Sequence, residues 1–139
     1  MLEFPLDISL HEMGQAILSL LKQGYKVTIA HVERYREALA NPLKLAALKK
    51  AGVLIQVNAD TVIKGRMSEK RFLDTLIKND LLGAIASDAH DMDYRPVNMA
   101  KAFKKIEKKY GRDIADKLFS TNIAIKSLPL GQIIFVPFK

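Results

Sequence analysis

An α/β fold, with parallel strands and helices packed outside them, is predicted by three features of this sequence. Near-continuous apolar runs at Val27 to His31, Val53 to Val57 and Gly83 to Ser87 read as strands covered on both faces. Amphipathic segments of helical length lie between them. Side chains suited to metals or phosphates stand where the runs end, at His31, Asn58, Asp88 and His90, and chemistry in βα folds gathers at strand ends.

The elements follow in order. Leu2-Glu3-Phe4 is a short strand remnant, with Glu3 able to face the same end as the other polar groups. Ser9 and Glu12 form a capping box, so a helix is predicted from about residue 10 to 23, closed by Gly24. After the strand to His31, Asn41-Pro42 supplies an N-cap and a first-turn proline for a helix closing near Gly52. The strand Val53 to Val57 is next, and Ser68 is expected to cap a helix running to about Asn79. Beyond the strand at Gly83 to Ser87, Pro96 starts a Lys-rich helix ending near Gly111, and a further short helix covers Ile114 to Phe119. No repeat or low-complexity linker divides the chain, so a single domain over residues 1–139 is expected, with residues 122–139 a divergent apolar tail. Within that tail Ile133 to Phe138 is β-prone and is expected to dock against the body or a partner chain.

Composition narrows the chemistry. The 139 residues, 49% hydrophobic and 27% charged, suffice for one globular core. No cysteine is present, which excludes disulfides, thiolate metal sites and cysteine nucleophiles. The opening residues lack a basic start and apolar core, and no uninterrupted apolar run is long enough to span a bilayer, so a cytoplasmic chain without membrane insertion is expected. The net charge of +7 owes much to Lys101, Lys104, Lys105, Lys108 and Lys109 along one predicted helix. Such a run reads as a solvated helix face, because a nucleic-acid surface usually interleaves aromatics, and Tyr110 alone does not supply them.

Two strand ends carry the same layout. Asp88 and His90 stand two residues apart after a buried strand, where both can reach one metal ion, and Arg95 follows. Upstream, His31 ends its strand and Arg34 follows. Imidazoles and carboxylates without thiolates suit Mn, Fe or Zn, and a multinuclear site of that kind acidifies a water that can attack phosphorus in line. Arg34 and Arg95 would then fork the phosphoryl oxygens and steady the transition-state charge.

The ordered series Glu3-Phe4-Pro5, Gly24-Tyr25, Ala30-His31-Val32-Glu33-Arg34-Tyr35, Gly52 to Ala59 and Ala86-Ser87-Asp88-Ala89-His90 with Arg95 resembles the PHP-domain protein tyrosine phosphatases of the CpsB/CapC/YwqE type. Those are manganese-dependent enzymes of bacterial capsular and exopolysaccharide regulation. The resemblance runs from about residue 1 to about residue 122. It implies a PHP-type (β/α) barrel, metal ligation by Glu3, His31, Asp88 and His90, and catalytic, substrate-binding roles for Arg34 and Arg95; Asn58, from its place at a strand end, can line the substrate pocket. It implies a multinuclear Mn site, with Fe, Zn or Mg as alternatives, and as substrate a phosphotyrosine protein, the autophosphorylated bacterial tyrosine kinase. Other PHP domains share the ligands, but the His-x-Glu-Arg-Tyr run favours the tyrosine phosphatase branch.

Two departures qualify that picture. The family's first-strand His-x-His motif and its further ligands before Glu-Phe-Pro have no counterpart here, so the chain matches the C-terminal half of the family's barrel. A closed barrel of this kind takes roughly 250 residues, so a partial barrel, an incomplete metal cluster and self-association through exposed strand edges are expected. Val32 also stands where the family commonly has proline.

Plainer roles exist for each residue. Asp88 and His90 can cap a loop, His31 can be a satisfied strand-end histidine, and Arg34 and Arg95 can pair with Glu33, Asp91 or Asp93. Glu3 can be solvated near the chain start, Asn58 can serve a turn, and His11 reads as exposed. Three functions of different classes result: a metal-dependent phosphotyrosine phosphatase, probed by metal binding; a catalytically inactive PHP fragment that binds phosphate or a partner protein; and a basic nucleic-acid module on the Lys101 to Lys109 face, whose affinity would fall steeply with salt.

Overall fold

A computed structural model describes residues 2–87 and 96–126. Three parallel strands, β1 (Thr28–Ile29), β2 (Leu54–Asn58) and β3 (Ala84–Ala86), form a sheet in the order β1-β2-β3. A parallel bridge from Leu2 to Ile29 adds the first segment beside β1, through Leu2 N–H to Thr28 O at 2.6 Å and Ala30 N–H to Leu2 O at 3.1 Å. Neighbours in the sheet are thus neighbours in the chain. Ile29 lies opposite Ile55, and Asn58 opposite Ala86. Ile55, Gln56 and Val57 are all buried although successive strand side chains point to opposite faces, so both faces of β2 are covered.

Helix α1 (Leu10–Lys22) begins as the sequence predicts: Ser9 Oγ accepts from Glu12 N–H, and Glu12 Oε2 accepts from Ser9 N–H at 3.1 Å. Gly24, at φ +86°, supplies the left-handed exit that a side chain would resist. Met13 and Ile17 bury one face of α1. A second tie holds its start, because Glu37 Oε2 accepts from Leu10 N–H at 2.7 Å while Glu37 Oε1 takes Lys44 at 2.9 Å.

Between β1 and β2 the chain departs from expectation. In place of one helix after Asn41 there are a 3-10 turn (Val32–Arg34), α2 (Arg36–Ala40), a second 3-10 turn (Pro42–Leu45) and α3 (Ala46–Lys50). Asn41 makes no side-chain cap; its N–H instead closes α2 on Glu37 O. Beyond β2 a short helix that the sequence reading lacked, α4 (Ala59–Lys64), is capped by Asn58. Helix α5 (Met67–Lys78) starts one residue before Ser68: the N–H of Arg66 donates to Glu69 Oε2 at 2.6 Å, so the predicted Ser68 cap is corrected to Arg66. Helix α6 (Pro96–Tyr110) has the expected span, and α7 (Arg112–Lys126) extends at both ends beyond the predicted Ile114 to Phe119, with Arg112 stapled to Asp116 and Glu107 at its start. The apolar stretch Ile133 to Phe138 lies outside the described residues.

No helix among the described residues is long and apolar enough to cross a membrane. Lys101, Lys104, Lys105, Lys108 and Lys109 are all exposed, while Ala102 and Ile106 on the opposite side of α6 are buried. Asp74 of α5 joins α6: its carboxylate takes Lys78 at 2.7 Å, the Tyr110 hydroxyl at 2.8 Å and Lys109 at 3.1 Å. These three donors, Lys78 foremost, hold the Asp74 carboxyl well below the usual carboxylate range.

Two outcomes follow from this packing. Ile55→Ala, at a fully buried strand position, should lower unfolding free energy by about 3 kcal/mol, read as a fall in denaturant midpoint at constant slope. Asp74→Asn should cost about 1 kcal/mol near neutral pH. Because the folded carboxyl titrates below the unfolded one, that difference is full above about pH 4 and fades as pH falls further; melting curves of both proteins from pH 7 to pH 3 check it.

Candidate functional site

The site is built on the turn that follows β1. His31 adopts φ 49°, ψ 44°, a left-handed conformation that costs a branched-off side chain roughly 1 kcal/mol and that clusters at functional positions. Its carbonyl accepts from Arg34 N–H at 2.9 Å, closing the 3-10 turn Val32–Arg34. This sharp exit from the strand swings the buried imidazole towards the first segment, where Nε2 lies 3.5 Å from Glu3 Oε1. A carboxylate oxygen and an imidazole nitrogen from two adjacent chain segments therefore converge on one point.

The residues after His31 each go a different way. Val32 enters the core. Glu33, which the sequence also allowed as a surface partner for Arg34, is only 6% exposed. Its Oε1 accepts from Asn58 N–H at 3.0 Å and from Thr61 Oγ1 at 3.1 Å. Burial pushes the Glu33 carboxyl up, against the hydrogen bonds and the nearby His31, which pull it down. Arg34 is exposed. Tyr35 turns back to the first segment, where its buried hydroxyl oxygen accepts from Phe4 N–H at 3.1 Å and its ring meets Phe4 edge-on at 6.3 Å between centroids. Burial first, and the Glu3 charge second, push the Tyr35 phenol up. Tyr35 thus fixes the segment that carries Glu3 to the turn that carries His31 and Arg34.

Asn58 has a structural task at the neighbouring strand end. Its Oδ1 accepts from Asp60 N–H at 2.9 Å and so caps α4, the turn role that its sequence position allowed. Asp60 Oδ1 in turn accepts from Asn98 Nδ2 at 2.8 Å, which ties α4 to the first turn of α6. Asp88, His90 and Arg95 lie outside the described residues. The chain enters that interval from β3, whose last residue Ala86 pairs with Asn58, so the interval starts at the sheet end where Glu33 meets Asn58.

Among the described residues no group of three or more His, Cys, Asp or Glu side chains is gathered for a metal. Glu3 and His31 form a pair, a hard oxygen and an imidazole nitrogen of the kind that Mn, Fe or Zn accepts, and in that respect the residues fit the expected metal. His11 is exposed in the first turns of α1 beside Gln15 and takes no part. Sequence reading missed Glu33 and Tyr35 as the supports of the turn. The available signal was their spacing: a carboxylate and a phenol flanking Arg34 directly after a buried strand.

The family described as "Capsular polysaccharide synthesis, CpsB/CapC" matches residues 1–126. Tyrosine-protein phosphatase CpsB of Streptococcus pneumoniae is 30% identical over 128 residues, covering 88% of this chain and 53% of the relative. Tyrosine-protein phosphatase YwqE of Bacillus subtilis is 32% identical over 116 residues, 82% of this chain and 45% of the relative. A crystal structure from work on YwqE of Bacillus subtilis and CpsB of Streptococcus pneumoniae, described there as unique metal-dependent tyrosine phosphatases, superposes with a TM-score of 0.68 at 31% identity, over 81% of this chain and 46% of that one. The chain spans about half the length of the curated relatives it matches.

The Tyr35 tie yields a direct check. Tyr35→Phe keeps the ring but strands the Phe4 N–H, and should destabilise the chain by about 1–2 kcal/mol in denaturant titrations.

Proposed function

Because this chain belongs to the CpsB/CapC family of capsular polysaccharide synthesis, we propose that it acts as a metal-dependent protein tyrosine phosphatase, or as the part of one that carries Glu3, His31, Asp88 and His90. The observation that supports the reading most is the convergence of Glu3 and His31 to 3.5 Å, with Arg34 three residues after His31. The metal, Mn with Fe, Zn or Mg as alternatives, would supply Lewis acidity to the phosphoryl group and a more acidic water. This chain's own residues do the rest. Arg34 and Arg95 bind phosphoryl oxygens as guanidinium forks and offset the charge that grows there. Tyr35 and Phe4 hold Glu3 against His31, and Asn58 borders the same strand end.

The strand order in chain sequence and the likeness to a metal-dependent tyrosine phosphatase support a partial PHP-type (β/α) barrel. The substrate is then a phosphotyrosine protein of the capsule or exopolysaccharide system, the autophosphorylated tyrosine kinase, met in the cytoplasm. Strand edges left open in a partial barrel favour self-association. A second reading draws on the chain's span of about half its relatives: a catalytically inactive fragment that binds phosphate or a partner.

Hydrolysis of a phosphotyrosine peptide with added Mn²⁺ separates the two. On the phosphatase reading, turnover falls more than about 100-fold in His31→Ala and in the Asp88→Ala, His90→Ala double variant, because ligands matter more than the partners that orient them. Phosphate binding without turnover, weakened by Arg34→Ala, supports the inactive fragment instead.

A further inference from the structure

We propose that Glu33 is a positioning residue: it pins the turn bearing His31 and Arg34 to the junction of β2 and α4, and so sets where those two side chains stand. An ionisable carboxyl 6% exposed is costly to bury and persists only where its hydrogen bonds do something an apolar side chain cannot. Here two partners, Asn58 N–H at 3.0 Å and Thr61 Oγ1 at 3.1 Å, bind the same oxygen, Oε1, and lie 25 and 28 residues away in sequence. Oε2 makes no hydrogen bond among the described residues. The contact is therefore one between distant segments, and it attaches between the imidazole two residues before and the guanidinium one residue after.

The turn needs such an attachment. Its internal closure is Arg34 N–H to His31 O and Tyr35 N–H to Val32 O, the latter at 3.3 Å, and these bonds fix its shape without fixing its place on the sheet. Tyr35 anchors it to the first segment at Phe4 on one side. Glu33 anchors it to β2 and α4 on the other. A left-handed residue at 31 would relax towards commoner backbone angles if one anchor were cut, carrying the imidazole away from Glu3.

The consequence for metal rests on the phosphatase reading, whereas the placement of His31 does not, and the experiment reads both. Glu33→Gln keeps an oxygen able to accept both bonds; Glu33→Ala removes it. The chain has three histidines, so imidazole NMR spectra of metal-free protein at one fixed pH resolve His31 against His11. The expected result is a displaced His31 signal with an unmoved His11 signal in Glu33→Ala, and wild-type positions in Glu33→Gln. Mn²⁺ titration by calorimetry should show about 10- to 100-fold weaker binding in Glu33→Ala and near wild-type binding in Glu33→Gln. Thr61→Val, which cuts one of the two bonds without touching Glu33, should displace His31 in the same direction by less, and it decides the matter if Glu33→Ala does not fold. An unmoved His31 signal in both Glu33→Ala and Thr61→Val overturns the proposal, as does a Glu33→Gln protein that behaves like Glu33→Ala. Wild-type protein that takes up no Mn²⁺ overturns the phosphatase reading alone, while the His31 signal still decides the role of Glu33.

Discussion

The parallel register of the sheet is the constraint on which the site depends. Ile29 opposite Ile55 and Asn58 opposite Ala86 bring the exits of β1, β2 and β3 to one end. A slip of one residue would turn every side chain of a strand to the other face. Ile29, Ile55, Val57 and Ile85, all fully buried, oppose such a slip, so apolar packing far from the chemistry determines which polar groups meet. The interior of such a sheet has no room for unpaired charge, which leaves the strand ends as the place for it.

At that end, five consecutive residues divide the work. His31 faces Glu3, Val32 fills the core, Glu33 grips the start of α4, Arg34 is exposed, and Tyr35 returns to Phe4. A 3-10 turn suits this division because its three residues per turn splay successive side chains by about 120°. The network then continues through Asn58 and Asp60 to Asn98, so α4, only six residues long, connects the β1 exit to α6.

Much of this was legible in the sequence where local rules decide. The Ser9–Glu12 box, the Gly24 exit, the apolar runs and Pro96 all rest on neighbouring residues, and the structure has them where expected. The misplaced and missed helix starts have two causes. Ser68 lacks the acidic residue three positions on that a capping box needs, since Arg71 stands there, whereas Arg66 has Glu69. The helices α2 and α4 are too short for an apolar period, and what holds them comes from afar: Glu37 reaches Leu10, and Glu33 reaches Asn58. The resemblance singled out Glu3 and His31, which the structure places 3.5 Å apart, yet spacing along the chain carries no information on burial, and Glu33 entered the sequence reading only as an alternative ion-pair partner for the arginines.

The left-handed backbone at His31 sets two selective pressures against each other. Glycine or asparagine would sit more comfortably at φ 49°, so drift under selection for folding alone would replace the histidine. On the phosphatase reading the imidazole is what keeps histidine at position 31, where the backbone would take glycine more readily, and a lineage that no longer needed that imidazole would be expected to lose it there early.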